Sequence, residues 1–431
     1  MKNILLLSLA LSTGIGFSQE TVSYKKCYAP DYIEYQEQKT PGFKQDLVEQ
    51  FEIAKNSHLP KSNTPYVIPV VVHIVYNTSA QNLHDSIVHN QIKTLNEDFQ
   101  RRNADTVNMR SDFEIVAGGL DIEFRLAAQD PEGNPTSGIT RTSTNTASFA
   151  DFGIITGNLS AMEKVKSTSD GGINPWDQSR YMNIWVCNME LMGTTALLGY
   201  ATPPVNLPNW PTGSTGGLND GVVIQFQAFG SNNPNNLLLG GATHEVLGRT
   251  TTHEVGHYLG LRHIWGDGDC TQQDGIDDTP NSTEESSGCP NANKCVDLIG
   301  GIDLPDMVEN FMDYSDETCQ NSFTKGQIDL ITGVLENQRY DLVYNNSAAV
   351  GKESFTAAIF PNPTENELNI QMNNGVVENV EVYNTFGQIM QSSSLSNSTV
   401  QLDVSHLDKG VYLVKITDDS GSTMVKKFVK K

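Results

Sequence analysis

The stretch His253-Glu254-Val255-Gly256-His257-Tyr258-Leu259-Gly260-Leu261-Arg262-His263 constrains this chain more than any other. His253 and His257 stand at i and i+4, a spacing that puts both rings on one face of a helix, one turn apart. Two imidazoles placed this way can hold a zinc ion at roughly 2.0–2.1 Å per Zn–N bond. Glu254 lies beside that face, where it can take a proton from a zinc-bound water. Gly260 can adopt φ > 0 without a Cβ penalty, so it can stop the helix and turn the chain. The turn brings His263 back as a third ligand. Three protein ligands leave a fourth position open to water, which marks a catalytic site rather than a structural one. His244-Glu245 also begins His-Glu, but Gly248 stands where the second histidine is needed, so this pair is read as a non-ligand.

The chain has 431 residues, enough for two or three domains, and a net charge of −23. That balance excludes nucleic acid as a partner, because phosphate binding needs clustered Lys and Arg. At the N-terminus, Met1-Lys2-Asn3 precedes an apolar run from Ile4 to Leu11, and small residues lead on to Ser18. This reads as a secretory signal peptide cleaved near Ser18, too short to span a bilayer. No later stretch reads as a transmembrane segment. Export permits disulfides among the six cysteines. Cys270, Cys289, Cys295 and Cys319 cluster after the histidine motif, and four cysteines allow three pairings.

Residues from about Gln19 to Ser62 are polar and poorly periodic, and read as a propeptide rather than as core. Cys27 stands alone there. A thiolate is a good zinc ligand, so Cys27 can fill the open position and keep an enzyme latent. The competing readings are a Cys27–Cys187 disulfide and a Cys27 that is simply free. Order begins at the β-branched run from Tyr66 to Tyr76, a buried strand in which His73 is a core or cleft residue. Ile87, Ile92, Leu95 and Phe99 give an amphipathic helix from about Ser86 to Arg101. Strands follow at Ile122–Leu126, Ile139–Thr142, Tyr181–Cys187 and Gly221–Phe226. The histidine helix starts near Thr250-Thr251-Thr252, whose hydroxyls can cap it.

After His263 the chain is loop-rich and acidic. Asp274, Asp277 and Asp278, with Asp267 and Asp269 upstream, offer hard oxygen ligands that suit calcium. Further on, Met312 offers an apolar floor beneath the zinc site, and Tyr314 can reach an oxyanion. Thr324 caps a last helix whose buried face is Ile328, Ile331 and Leu335. Beyond Asn345–Ala349, short alternating strands at Leu368–Ile370, Val380–Tyr383, Val400–Val404 and Gly410–Ile416 fit a small all-β sandwich with no titratable cluster.

The full pattern H-E-x-x-H-x-x-G-x-x-H is the metzincin signature. With Thr251-Thr252 before it, Ile264-Trp265-Gly266-Asp267 after it, the turn Asp278-Thr279-Pro280 and the run Asn310-Phe311-Met312-Asp313-Tyr314, the region from about Tyr66 to Tyr340 resembles the pappalysin family of metzincin metallopeptidases. The resemblance implies zinc ligands at His253, His257 and His263, with Glu254 as general base. It also implies Met312 as a Met-turn and Tyr314 as a stabiliser of the transition state. Calcium is implied in the Asp274–Thr279 loop, with Asp277, Asp278 and Thr279 among its ligands. Implied disulfides are Cys270–Cys295 and Cys289–Cys319, and Val222–Phe226 is the implied edge for an extended substrate. Arg-preferring members carry an acidic residue just before the last cysteine. Here Thr318 stands there, with Glu317 and Asp316 one and two residues earlier. From about Phe355 onward the chain resembles the sorting domain of the type IX secretion system of Bacteroidetes. The carrying residues are Phe360-Pro361-Asn362-Pro363, Tyr383 with Gly387, Leu407-Asp408-Lys409-Gly410-Val411-Tyr412 and the basic end Lys426–Lys431.

The expected architecture is therefore α+β. Residues 1–18 are a signal peptide and 19–62 a propeptide. Residues 63–344 form a metzincin-like catalytic domain, with a mixed twisted sheet, a zinc helix and a loop-rich lower half. A linker at 345–354 leads to a β-sandwich sorting domain at 355–431. The expected activity is that of a secreted zinc endopeptidase acting on extracellular proteins or peptides, with the type IX machinery as a partner. The alternative is a non-catalytic surface binding protein that retains a metal site.

Overall fold

A run such as Val70-Val71-Val72-His73-Ile74-Val75 has no polar face, so both of its faces need cover. The computed structural model covers both. It describes residues 24–57, 65–204, 219–239, 241–344, 357–372, 376–384, 388–418 and 423–431. The expected signal peptide and the linker at 345–354 lie outside them.

Strand β1 (Lys25–Cys27) is followed by helices α1 (Ala29–Lys39) and α2 (Phe43–Lys55). Then come β2 (Tyr66–Tyr76), α3 (Asp85–Phe99), β3 (Ile122–Leu126), β4 (Ile139–Ser143), β5 (Met182–Cys187), β6 (Leu197–Ala201) and β7 (Val222–Gln225). Helices α4 (Arg249–Tyr258) and α5 (Lys325–Glu336) complete the layer below. These strands form one mixed seven-stranded sheet in the order β1-β6-β7-β5-β2-β3, with β4 also on β2. β6 alone runs antiparallel to its neighbour β7, while β1 runs parallel to β6.

Strand alternation divides two cores. Met182, Ile184 and Val186 of β5 join α3, α4 and α5 on one face. Trp185 and Cys187 join Leu197, Tyr200 and Val223 on the other. Thr324 caps α5 in a reciprocal capping box with Gln327, as its sequence suggested. Residues 357 onward form a three-stranded and a four-stranded antiparallel sheet around their own apolar cluster, the all-β architecture read from the sequence.

Three expectations change. First, Val222–Phe226 is not the edge strand. β7 lies between β6 and β5, and the catalytic sheet reaches its rim at β6, to which β1 is added. Second, the segment before 63, read as propeptide rather than as core, contributes side chains to both cores. Tyr28, Tyr32 and Tyr35 belong to one core, and Phe51 and Ala54 to the other. Third, α4 begins at Arg249, one residue after Gly248 in the left-handed region (φ 84°), and Thr250, Thr251 and Thr252 sit inside the helix. They cannot be its N-cap, which must have non-helical φ/ψ.

Candidate active site

Helix α4 carries His253, Glu254 and His257 on a fully buried stretch. Gly260, at φ 96°, ends it and turns the chain so that His263 returns. The Nε2 of His257 lies 3.1 Å from that of His253 and 3.1 Å from that of His263. Each opposite ring nitrogen is already engaged. Nδ1 of His253 meets the Phe311 carbonyl at 2.7 Å, that of His257 the Leu261 carbonyl at 2.8 Å, and that of His263 the Asp267 carboxylate at 2.6 Å. An acceptor at each Nδ1 fixes the proton there, so three Nε2 lone pairs converge on one point. Neutral lone pairs repel, and a cation between them relieves that repulsion. Burial agrees, pushing His257 down to about 3 and His253 well below the ordinary imidazole range, with His263 lowering the first further and both other histidines the second. This donor set fits a zinc ion.

Cys27 joins the cluster from β1. Its Sγ and the three histidine nitrogens all lie within 4.8 Å of one another. Oε1 of Glu254 is buried without a hydrogen-bond partner, and burial drives its carboxyl well above the ordinary range. Tyr314 donates its hydroxyl to the Cys27 carbonyl at 3.1 Å, and its ring packs 4.9 Å from that of His263. Met312 lies under α4, where a Cβ on Gly256 would come 2.4 Å from its Sδ. On the other side of Glu254, a Cβ on Gly199 would stand 2.7 Å from the glutamate Cγ. Only glycine lets the rim strand β6 lie this close.

A family model described as Pregnancy-associated plasma protein-A matches residues 167–336, and one described as a secretion system C-terminal sorting domain matches residues 358–431. An extracellular metalloprotease of Arthroderma gypseum is 30% identical over 291 residues, which cover 67% of this chain and 78% of that protein. Mature mirolysin of Tannerella forsythia in complex with a cleaved peptide is 42% identical, with a TM-score of 0.57 over 68% of this chain and 100% of its own. A promirolysin mutant of the same organism is 39% identical, with a TM-score of 0.61 over 74% of this chain and 97% of its own. The chain belongs to the pappalysin family. It is a secreted metallopeptidase with a C-terminal sorting domain, and none of the helices among its described residues is long and apolar enough to cross a membrane.

Beside the pappalysin histidines runs a cleft that holds Lys26. Its Nζ donates to the carbonyls of Tyr314 and Ser315, the latter at 3.0 Å, and lies 3.8 Å from Asp316. Burial lowers its pKa against the opposing pull of Asp316. Glu317, which also lines this cleft, caps α4. One carboxylate oxygen accepts from the amides of Leu247 and Arg249, and the other from the amide and hydroxyl of Thr250. Sequence spacing gave no hint of this cap, because it spans more than sixty residues. Arg249 in turn pairs with Asp105 at 2.6 Å and lies 3.7 Å from Asp98.

The disulfides are Cys270–Cys295 and Cys289–Cys319, as the resemblance implied, and Cys27 and Cys187 are both free and buried. The acidic loop is only partly gathered. Asp274 accepts from the Thr279 hydroxyl at 2.8 Å and from the Ile276 amide. Asp278 instead accepts from the Gly326 amide at the start of α5, and exposed Asp277 faces Lys55 at 3.3 Å. His73 is buried between Thr140 and Asn183, away from the cluster.

Proposed function

We propose that the chain is a zinc endopeptidase made as a latent precursor. The convergence of three histidine Nε2 atoms, each with its Nδ1 anchored, carries this reading. His253, His257 and His263 would hold the ion. Zinc, once bound, supplies a Lewis acid that polarises the scissile carbonyl and lowers the pKa of a water to about 7. Glu254 takes the proton of the attacking water and delivers it to the leaving amine. Its place beside the first histidine on the same buried helix face, with one carboxylate oxygen left without a hydrogen-bond partner, supports this role. Tyr314 turns its hydroxyl toward the oxygen that gains charge, once the Cys27 carbonyl is gone. The rim strand β6 offers main-chain groups to an extended substrate.

In the precursor, β1 lies on β6 and Cys27 Sγ would hold the remaining ligand position, with residues 19–62 as the pro-segment and 63–344 as the catalytic domain. The Asp274–Thr279 loop would bind a structural calcium through Asp274, Thr279 and neighbouring oxygens, with Asp277 and Asp278 turning in. The binding-protein alternative has no use for an intact Glu254 beside three ligands. Cleavage of a peptide library by the purified, processed chain, with and without chelator, tests the reading. No cleavage by zinc-loaded protein would sink it.

A further inference from the structure

Lys166 has no part in this chemistry, yet its side chain is 0% exposed. A buried ammonium is costly unless it is paired and surrounded by favourable groups. Its Nζ lies 2.9 Å from Glu163 Oε1, and that carboxylate also accepts from the Tyr200 hydroxyl at 3.0 Å. Three rings surround the cation, with centroids at 4.8 Å (Tyr200), 5.5 Å (Tyr32) and 5.7 Å (Trp185). Tyr200 and Trp185 come from the sheet. Tyr32 comes from α1, in the segment before residue 63, and is fully buried against Tyr200 with ring centroids 5.8 Å apart.

Strand alternation fixes where this cage lies. Gly199 faces Glu254, so Tyr200, the next residue of β6, faces the opposite side of the sheet. The cage therefore sits behind the rim strand, out of the path of a substrate laid along the catalytic face. A ligand held there is not displaced by substrate and does not depend on the metal.

We propose that the pit formed by Lys166, Glu163, Trp185 and Tyr200 is a docking site for the Tyr32 ring, which anchors the pro-segment independently of the Cys27 thiol and retains it as a bound inhibitor after the chain is cut. The inference rests on reading residues 19–62 as a pro-segment. A second apolar contact supports retention. α2 packs on α5 so tightly that a Cβ on Gly333 would stand 2.1 Å from the Ala54 carbonyl oxygen, and Arg262 lies 3.9 Å over the Phe51 ring. A cut within 58–64 leaves both contacts intact.

The test uses the full chain with a foreign protease site placed within 58–64. After cutting and removal of metal by chelator, gel filtration reads whether the N-terminal fragment stays on the body. Retention is expected for the wild type, for Cys27→Ser and for Tyr32→Phe, and a clearly larger dissociated fraction for Tyr32→Ala whether or not Cys27 is present. A synthetic peptide of residues 24–57 bearing Cys27→Ser bypasses any folding defect. Added to the cut, metal-loaded Tyr32→Ala chain from which its own fragment has been washed, it should inhibit cleavage. The same peptide with Tyr32→Ala should be weaker by about tenfold or more. Equal inhibition by the two peptides, or loss of the fragment from cut Cys27→Ser as readily as from Tyr32→Ala, would overturn the anchor. Full activity of the uncut wild type would instead refute the pro-segment reading, and the gel-filtration result, which needs no catalysis, keeps the two failures apart.

Discussion

The Sγ of Cys27 lies 3.4 Å from Oε2 of Glu254, and the thiol donates to that carboxylate. The group proposed to block the metal and the group proposed to move the proton thus meet in one buried space. Burial and the Glu254 charge raise the Cys27 thiol well above its ordinary range, so without a metal it stays protonated. A cation among the histidines would reverse that.

This contact sets an expectation for thiol chemistry. In the zinc-loaded precursor, Cys27 resists alkylation until the metal is stripped and the chain unfolded, and then reacts as a free thiol. Non-reducing mass mapping checks it. A peptide linking Cys27 to Cys187 would contradict both the free thiols and the latency proposal.

Glu254→Gln keeps the shape of the site and removes the base. Zinc content should stay near that of the wild type, while peptide cleavage by the processed enzyme falls by about 10²–10⁴-fold, the usual share of a general base. Metal analysis alongside a fluorogenic peptide assay reads both. Turnover close to wild type would remove Glu254 from the mechanism.

The parts of the site that the sequence revealed are local ones. His253, Glu254 and His257 share one helix, and Gly260 and His263 follow within a turn, so spacing alone brings them together. β6 was harder to see. Leu197-Leu198-Gly199-Tyr200-Ala201 is short, has glycine at its centre and shows no polar alternation, because both its faces are buried. α1 did carry a helical signal, with Tyr32 and Tyr35 in it and Tyr28 as its N-cap, but tyrosine scores as half polar and Asp31 and Glu34 interrupt the apolar pattern. The cap on α4 had no local signal at all, since the carboxylate comes from a distant loop.

That cap gives a third prediction. Glu317→Ala leaves four donors at the start of α4 without their acceptor. Loss of a cap with charge-assisted bonds costs about 2 kcal/mol. Urea unfolding should show this loss, with lower catalytic turnover because α4 carries the histidines. A variant as stable as the wild type would mean that water replaces the carboxylate at no cost.

Asp98 sets a pH dependence. Burial raises its carboxyl from 3.8 to about 7, against the opposing pull of Arg249 and Thr252. The folded chain therefore holds this proton more tightly than the unfolded one. The resulting stability is fully present below about pH 4 and is lost as pH rises through 7. Asp98→Asn should flatten the decline between pH 4 and 7 in urea unfolding, while Arg249 keeps Asp105. Equal slopes for variant and wild type would exclude Asp98 as the source.

The histidine cluster is proposed as a catalytic zinc centre. The direct measurement is metal content and peptide cleavage on the same processed sample, before chelation, after chelation, and after stepwise return of zinc. About one zinc per chain is expected, with loss of cleavage as zinc leaves and recovery that saturates at one equivalent. Undiminished cleavage by metal-free protein would contradict it.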